Sequence, residues 1–342
     1  MKKISIFLGG YINYTNAQNL NCRAIAEHLN KEKFDVFTLK AHFGDNTSLK
    51  INTFTCKIPF RFTRHLGFLW GISHCDIAYL PKHSDTPFWV LMLAKLLNKP
   101  IFTTIEGIET IKRLILSYNS VDKIVCRFKY FHNIYAITDR IIINNNKFIT
   151  LESNPLLLGV NTSDFTRVQR NQLDSICFVG HLSKKKRVYE LITLAKLYPN
   201  IEFKIIGEGP EQQSLQNKAP LNVTFFGKLK HKEMDAIFSS SDLLFLPSKS
   251  EGFPKVILEA AAAGVPSVVY DCYGASDWID NKKNGFIVND FNDVKSIVNE
   301  LLNDSILLQN TSEGAIKLAH RFDWKNIIND WEKVIVDLYN GK

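Results

Sequence analysis

Ser250-Glu251-Gly252-Phe253-Pro254-Lys255-Val256-Ile257-Leu258-Glu259 is the stretch on which the reading of this chain turns. The apolar run Leu243–Leu246 precedes it and ends at Pro247-Ser248. Helical spacing then continues from Val256 to Ala263 and stops at Gly264 and Pro266, after which Ser267–Tyr270 is again apolar. Strand, loop, helix, stop and strand in that order make a βαβ unit of a parallel sheet. Ligands of such sheets sit beyond the carboxyl ends of the strands. The loop that carries Glu251 and Gly252 is therefore where chemistry is expected.

The same alternation runs outward in both directions. Towards the C-terminus, Phe286–Val288 reads as a strand, 293–303 as a helix and Trp324–Leu338 as a final amphipathic helix. Towards the N-terminus, strands are expected at Val223–Phe226, Glu202–Ile206 and Ser175–Val179, with helices at 231–240 and 187–198. The first half repeats the pattern more faintly: strand Ile4–Leu8 followed by a Gly9-Gly10 turn, a helix over 18–30, strand Phe34–Leu39, a helix at Trp89–Leu97, and short apolar runs at Ile77–Leu80, Ile101–Thr104 and Ile134–Ile137. The 342 residues suit two domains of ~150 residues each. The boundary is expected near Leu156–Arg170, which has no clear period. The fold class is α/β, with doubly wound domains at 1–160 and 161–323.

The residues of the opening stretch suit an anion. Gly252 lets backbone approach a ligand closely. The first amides of the helix, near Phe253 to Val256, lack intrahelical acceptors and sit at the positive end of the dipole, a natural phosphate site. Glu251 and Glu259 flank it, and a carboxylate accepts hydrogen bonds from paired sugar hydroxyls. Glu259 lies among Val256, Ile257, Leu258 and a run of alanines, where an unpaired acid would be costly. A second basic loop follows the strand at 175–179: Gly180-His181-Leu182-Ser183-Lys184-Lys185-Lys186-Arg187.

Together these segments resemble glycosyltransferase family 4, the retaining group with a GT-B fold. The signature is two glutamates separated by seven residues, as Glu251 and Glu259 are. Gly252-Phe253-Pro254 and Ala263-Gly264-Val265-Pro266 follow the same pattern, and the match is long and specific. The resemblance implies two Rossmann-like domains facing a central cleft, an N-terminal domain for the acceptor and a C-terminal domain for a nucleoside-diphosphate sugar of UDP or GDP type, with the last helix, 324–342, packing back on the N-terminal domain. It implies that Glu251 meets the donor sugar, that Glu259 binds the ribose, and that the amides of Gly252, Phe253, Lys255 and Val256, with the turn at Pro254, hold the distal phosphate. Lys186 falls on the family's diphosphate lysine. His181 stands where the family has arginine, and Arg187 where it has glycine. Leu229, in Phe225-Phe226-Gly227-Lys228-Leu229, falls on the nucleobase contact. Gly207-Glu208-Gly209-Pro210 is similar to a family turn, though such turns are widespread. Gly9 and Gly10 fall on a Gly-rich loop near the donor phosphates, and Glu106 replaces a histidine that meets the donor sugar.

Composition constrains the remainder. Residues 1–170 hold 22 Lys and Arg against 12 Asp and Glu, while the rest hold 20 against 22. A basic half is drawn to anionic surfaces. With the resemblance, this suggests a saccharide or lipid-linked acceptor in bacterial surface polysaccharide synthesis, and peripheral binding to an anionic membrane. Tyr11, Tyr14, Phe60, Phe62, Phe68 and Trp70, with Arg61 and Arg64, are candidates for an interfacial patch. No nucleic-acid partner is expected. No run is long enough for a spanning helix, and Ile4–Leu8 is too short for a signal sequence. The six scattered cysteines read as reduced, buried thiols in a cytoplasmic protein. His231 and the remaining histidines show no metal spacing, nor does Asp290-Phe291-Asn292-Asp293. No cofactor and no catalytic metal are expected. A catalytically degenerate protein that binds nucleotide sugar or glycan remains the alternative.

Overall fold

The computed structural model describes residues 2–14, 16–44, 49–83 and 85–341. The chain divides into two compact units, one formed by Met1–Leu158 with Trp324–Lys342 and the other by Gly159–Asp323.

In the first unit the order is β1 (Ile4–Tyr11), α1 (Ala17–His28), β2 (Phe34–Ala41), β3 (Asn52–Cys56), α2 (Phe60–His74), β4 (Ile77–Tyr79), α3 (Phe88–Leu96), β5 (Ile101–Ile105), α4 (Thr110–Tyr118), α5 (Val121–Phe128), β6 (Asn133–Ala136) and α6 (Asp139–Asn145). The six strands pair in the order β3-β2-β1-β4-β5-β6, all parallel. This is the doubly wound order whose direction reverses between β1 and β4. The second unit comprises β7 (Ser175–Val179), α7 (Tyr189–Leu197), β8 (Glu202–Ile206), α8 (Gln212–Gln216), β9 (Val223–Gly227), α9 (Met234–Ser239), β10 (Leu243–Leu246), α10 (Lys255–Ala262), β11 (Ser267–Tyr270), β12 (Phe286–Val288), α11 (Phe291–Asn303) and α12 (Ser305–Arg321). Its order, β9-β8-β7-β10-β11-β12, is the same topology, with the reversal between β7 and β10. The last helix, α13 (Trp324–Asn340), belongs to the first unit.

The central strands are buried on both faces, so they read as continuous apolar runs rather than alternating ones. All four residues of β10 are 0% exposed. Behind β10, α10 turns its Ala260, Ala261 and Ala262 inward, and these small side chains let it pack against α12. In α13, Trp331 is fully buried against Tyr79 (ring centroids 5.0 Å apart), and its indole N–H donates to the Leu157 carbonyl at 2.9 Å.

Several expectations need correction. Gly9 and Gly10 lie inside β1, not in a turn after it: pairing with β2 slips between Leu8 and Tyr11, and the glycines occupy that irregularity. A Cβ on Gly10 would stand 2.7 Å from Cys22 Sγ of α1, so close packing requires the glycine. The expected interfacial patch is smaller than the sequence suggests, with Tyr14, Phe62 and Arg61 exposed and Phe60 and Arg64 half-buried. Phe68 and Tyr11 are buried, and Trp70 packs on Phe37 and Phe54. The expected helix at 231–240 is a short 3-10 turn, His231–Glu233, followed by α9. Of the six cysteines, all free, Cys126 and Cys272 are exposed.

Candidate functional site

The site is built in the second unit, where the topology reverses. The segments that leave the carboxyl ends of β7 and β10 lie side by side there. From β7 the chain passes through Gly180 into a basic 3-10 turn, Lys184–Lys186. That loop is fixed by backbone contacts with the next one. Gly180 N–H donates to Ile206 O at 2.9 Å, Leu182 N–H to Glu208 O at 2.9 Å, and Glu211 N–H to Leu182 O at 3.1 Å. The approach is close enough that a Cβ on Gly207, whose φ is +133°, would overlap the Gly180 carbonyl oxygen. The Gly207-Glu208-Gly209-Pro210 turn is thus the wall that shapes the basic loop.

Lys186 Nζ donates to Glu251 Oε1, with the two side chains only 24% and 13% exposed. The loop after β10 therefore meets the loop after β7 through one ion pair. Glu251 is followed by the start of α10, whose N-cap is Pro254 and where no side chain caps the helix. Proline has no N–H, so Pro254 contributes no donor of its own. The donors of this end come from the neighbouring amides of the first turn. Phe253 anchors the turn, its ring 5.0 Å from Trp278 and 5.2 Å from Phe322. Gly252, Phe253, Lys255 and Val256 are all half-buried.

Glu259 lies farther along α10, 15% exposed, with Oε1 3.5 Å from His231 Nε2. Donation of a hydrogen bond to the Glu259 carboxylate raises the His231 pKa above its ordinary value. Burial works against this, the charges of Glu259 and Asp164 add to it, and Lys255 subtracts. The His231 ring also stands edge-on to Phe165 at 5.8 Å. The pair ties the segment after β9, including half-buried Leu229, to α10. No metal spacing marked His231 in the sequence. Its pairing with Glu259 spans several elements and leaves no local signal.

Arg187 adopts the left-handed conformation, φ 52°. Its guanidinium pairs with Glu190, lies 4.8 Å over the Tyr270 ring and donates to Tyr189 Oη at 3.3 Å. Tyr270 Oη in turn donates to Glu190 at 2.7 Å. Those contacts hold a side chain where backbone alone would favour glycine. His181 is exposed on the same loop; its side chain is not among the partners of the Lys186–Glu251 pair. Two buried polar atoms near the Glu251 loop, Ser248 Oγ and Tyr273 Oη, lack hydrogen-bond partners among the described residues. Burial raises the Tyr273 pKa far above its ordinary value, and Glu251 adds to the rise. Sequence reading missed Tyr273.

Gly9, Gly10 and Glu106 belong to the first unit. Glu106 follows β5 and accepts from Asn21 Nδ2 at 3.4 Å. The N-cap of the next helix is Glu109 instead. Among the described residues no group of three or more His, Cys, Asp or Glu is placed to hold a metal ion, and no helix is long and apolar enough to cross a membrane.

Comparison with known proteins adds to this geometry. Residues 162–318 match the family model described as glycosyl transferases group 1. The chain is 28% identical to an uncharacterized glycosyltransferase of Haemophilus influenzae, over 98% of this chain and all of that one. Its fold is similar to the sucrose-phosphate synthase of Thermosynechococcus elongatus, with TM-score 0.82 at 14% identity over 99% of this chain and all of that one. It is also similar to Anabaena HepE solved with UDP-glucose, with TM-score 0.77 at 15% identity over 98% of this chain and all of that one.

Proposed function

With residues 162–318 a glycosyl transferases group 1 domain in a chain of GT-B fold, we propose that the protein is a retaining hexosyltransferase. Its donor is a nucleoside-diphosphate sugar, UDP or GDP linked, and its acceptor a saccharide or lipid-linked saccharide of bacterial surface polysaccharide synthesis. The observation that carries this reading is the Lys186–Glu251 pair beside the uncapped start of α10, with Glu259 farther along the same helix.

A diphosphate is the anion that fits such a place. Lys186 gives a point charge, and the α10 N-terminus gives backbone donors and the positive end of a dipole. As the bond to the anomeric carbon breaks, charge grows on the leaving phosphate oxygens. Fixed donors stabilise that charge more than the ground state. His181, exposed on the same loop, serves as a further donor. Glu251 orients the sugar hydroxyls once Lys186 turns to phosphate. The acceptor hydroxyl attacks from the face the phosphate leaves, and the departing phosphate oxygen takes its proton. Glu259, oriented by His231, receives the ribose hydroxyls, and the backbone at Leu229 borders the base. No metal enters this scheme.

The first unit takes the acceptor in this reading. Its α2 exposes Phe62, Leu66 and Leu69, and the adjoining α3 exposes Phe88, Met92 and Leu96, with Arg61 and Lys95 also exposed on these helices. Apolar stripes with basic neighbours support contact with an anionic membrane, on the cytoplasmic face, and retain Phe62 and Arg61 of the set expected from the sequence. Failure to sediment with anionic liposomes at low salt removes that part of the proposal.

The donor site is tested by thermal shift with UDP, GDP, ADP and CMP against wild type and Glu259→Gln. Bound ligand stabilises by an amount set by its concentration over Kd. UDP heads the panel because HepE was solved with UDP-glucose. One nucleotide should raise the melting temperature in wild type and lose most of that effect in the variant. If no nucleotide shifts it, the donor assignment fails.

A further inference from the structure

The first unit holds a pocket of about 220 Å³ that none of the donor residues except Gly9 reaches. It opens at the carboxyl ends of β1 and β2 and against α2, beside the place where that sheet's topology reverses. One wall is a run of aromatic rings. Tyr11 and Phe60 have centroids 5.5 Å apart, and Phe43 and Phe60 5.2 Å. The other side is charged: Lys82, Arg64 and Asp85. Lys82 Nζ lies 5.3 Å over the Tyr11 ring, and Arg64 sits 5.8 Å over Phe68 while donating to the Asp85 backbone carbonyl.

Two features mark the pocket as unfinished without a ligand. Tyr11 is 8% exposed, and its hydroxyl is buried with no hydrogen-bond partner among the described residues. Such orphans are rare in native proteins and call for a partner. The Lys82 ammonium is in no salt bridge among the described residues, and burial lowers its pKa against the opposing charge of Asp85. A partly buried cation that no carboxylate contacts directly is costly, and an incoming anion relieves the cost. With Arg64 beside it the pocket carries two cations against one carboxylate, so it repels cationic ligands and rewards anionic ones. The aromatic wall suits the apolar C–H face of a pyranose. The volume falls below the ~300–1,000 Å³ of drug-sized sites, which favours a single sugar ring over a nucleotide.

We infer that this pocket binds an anionic saccharide unit, a sugar ring carrying a phosphate or a carboxylate, with Lys82, Arg64 and Tyr11 Oη on the anion and Tyr11 and Phe60 on the ring. This deepens the proposed transferase reading by naming the acceptor class, and it rests on that reading only for the word acceptor. Saturation-transfer NMR on the full chain tests it with glucose 6-phosphate, glucuronate and methyl glucoside, with inorganic phosphate as competitor. Glucose 6-phosphate or glucuronate should bind more tightly than methyl glucoside. Lys82→Met should weaken the anionic sugar about 10- to 100-fold, as loss of a hydrogen bond to a charged group does. Tyr11→Phe should weaken it about 2- to 10-fold, as loss of a neutral one does. Lys82→Arg should retain binding, and carries the test with Tyr11→Phe if Lys82→Met does not fold. Glu259→Gln should leave this binding unchanged, and Lys82→Met should leave the nucleotide thermal shift unchanged. Equal binding of methyl glucoside overturns the inference, as does inorganic phosphate matching the sugar phosphate. So does full binding in both Lys82→Met and Tyr11→Phe. A failed nucleotide panel beside intact anionic-sugar binding would instead remove the transferase reading and leave the pocket standing.

Discussion

Replacing Lys186 with methionine takes the cation from a carboxylate that is only 13% exposed. Breaking a fully buried pair costs about 3–5 kcal/mol, and breaking a fully exposed one costs about 0.2–1 kcal/mol. The side chains here, at 24% and 13%, lie between these limits. A loss of about 1–3 kcal/mol follows for Lys186→Met. Glu251→Gln should cost less, because the longer lysine reaches water from its more exposed position. The double variant Lys186→Met/Glu251→Gln removes both charges together and leaves none stranded. Its cost should fall short of the summed single costs by about 1 kcal/mol or more, the coupling expected of residues in contact. Urea unfolding of the four ligand-free proteins measures this directly. Additive costs, within about 0.5 kcal/mol, would refute the claim that the two loops are joined through this pair.

Three further outcomes are expected. The Glu259 contact raises the His231 pKa, so its stabilisation is full below the unfolded pKa and fades as pH rises through the folded one. With His231 37% exposed and screened by water, the gap between wild type and His231→Ala should be about 0.2–1 kcal/mol below pH ~6. It should shrink in thermal melts taken above the raised pKa, and a gap that grows with pH contradicts the pairing. Gly207→Ala should cost about 2–5 kcal/mol in unfolding, from backbone strain and collision with the Gly180 carbonyl, and should weaken nucleotide binding with it; a neutral effect would show that the two loops do not abut. Arg187→Gly relaxes the backbone but takes the counter-charge from Glu190, 5% exposed, leaving it the Tyr270 hydroxyl, so it should destabilise by about 1–3 kcal/mol in urea titrations rather than stabilise.

The second unit was legible because its central strands are buried on both faces and leave continuous apolar runs. Ser175–Val179, Glu202–Ile206, Leu243–Leu246, Ser267–Tyr270 and Phe286–Val288 fall where their composition puts them. The loop holding Glu251 follows from that placement. The first unit was harder to read. The helix Phe60–His74 carries aromatics, arginines and glycines whose mixture hid its period, so its buried Phe68 was read as surface. Gly67 and Gly71 look like breakers but are buried where the helix packs close, with Cβ positions crowded by Leu39 and Phe7. Of the candidate site, Glu251 could be read as the acid of a loop that follows a strand and Glu259 as an acid on an apolar helix, whereas Lys186 stood out only through the family resemblance of its loop. Their partners could not. That Lys186 holds Glu251, that His231 holds Glu259 and that the Tyr11 hydroxyl is orphaned are consequences of tertiary packing between distant segments.

Release of nucleoside diphosphate from a panel of nucleotide sugars, supplied with a glycolipid acceptor extract, tests the central claim most directly. Wild type should turn over one donor class. Lys186→Met should lower kcat about 100-fold or more, the loss typical of one group that stabilises developing negative charge. A wild-type protein that binds the nucleotide sugar yet releases no diphosphate with any acceptor, and differs in nothing from Lys186→Met, would contradict the account and leave a binding protein in place of an enzyme.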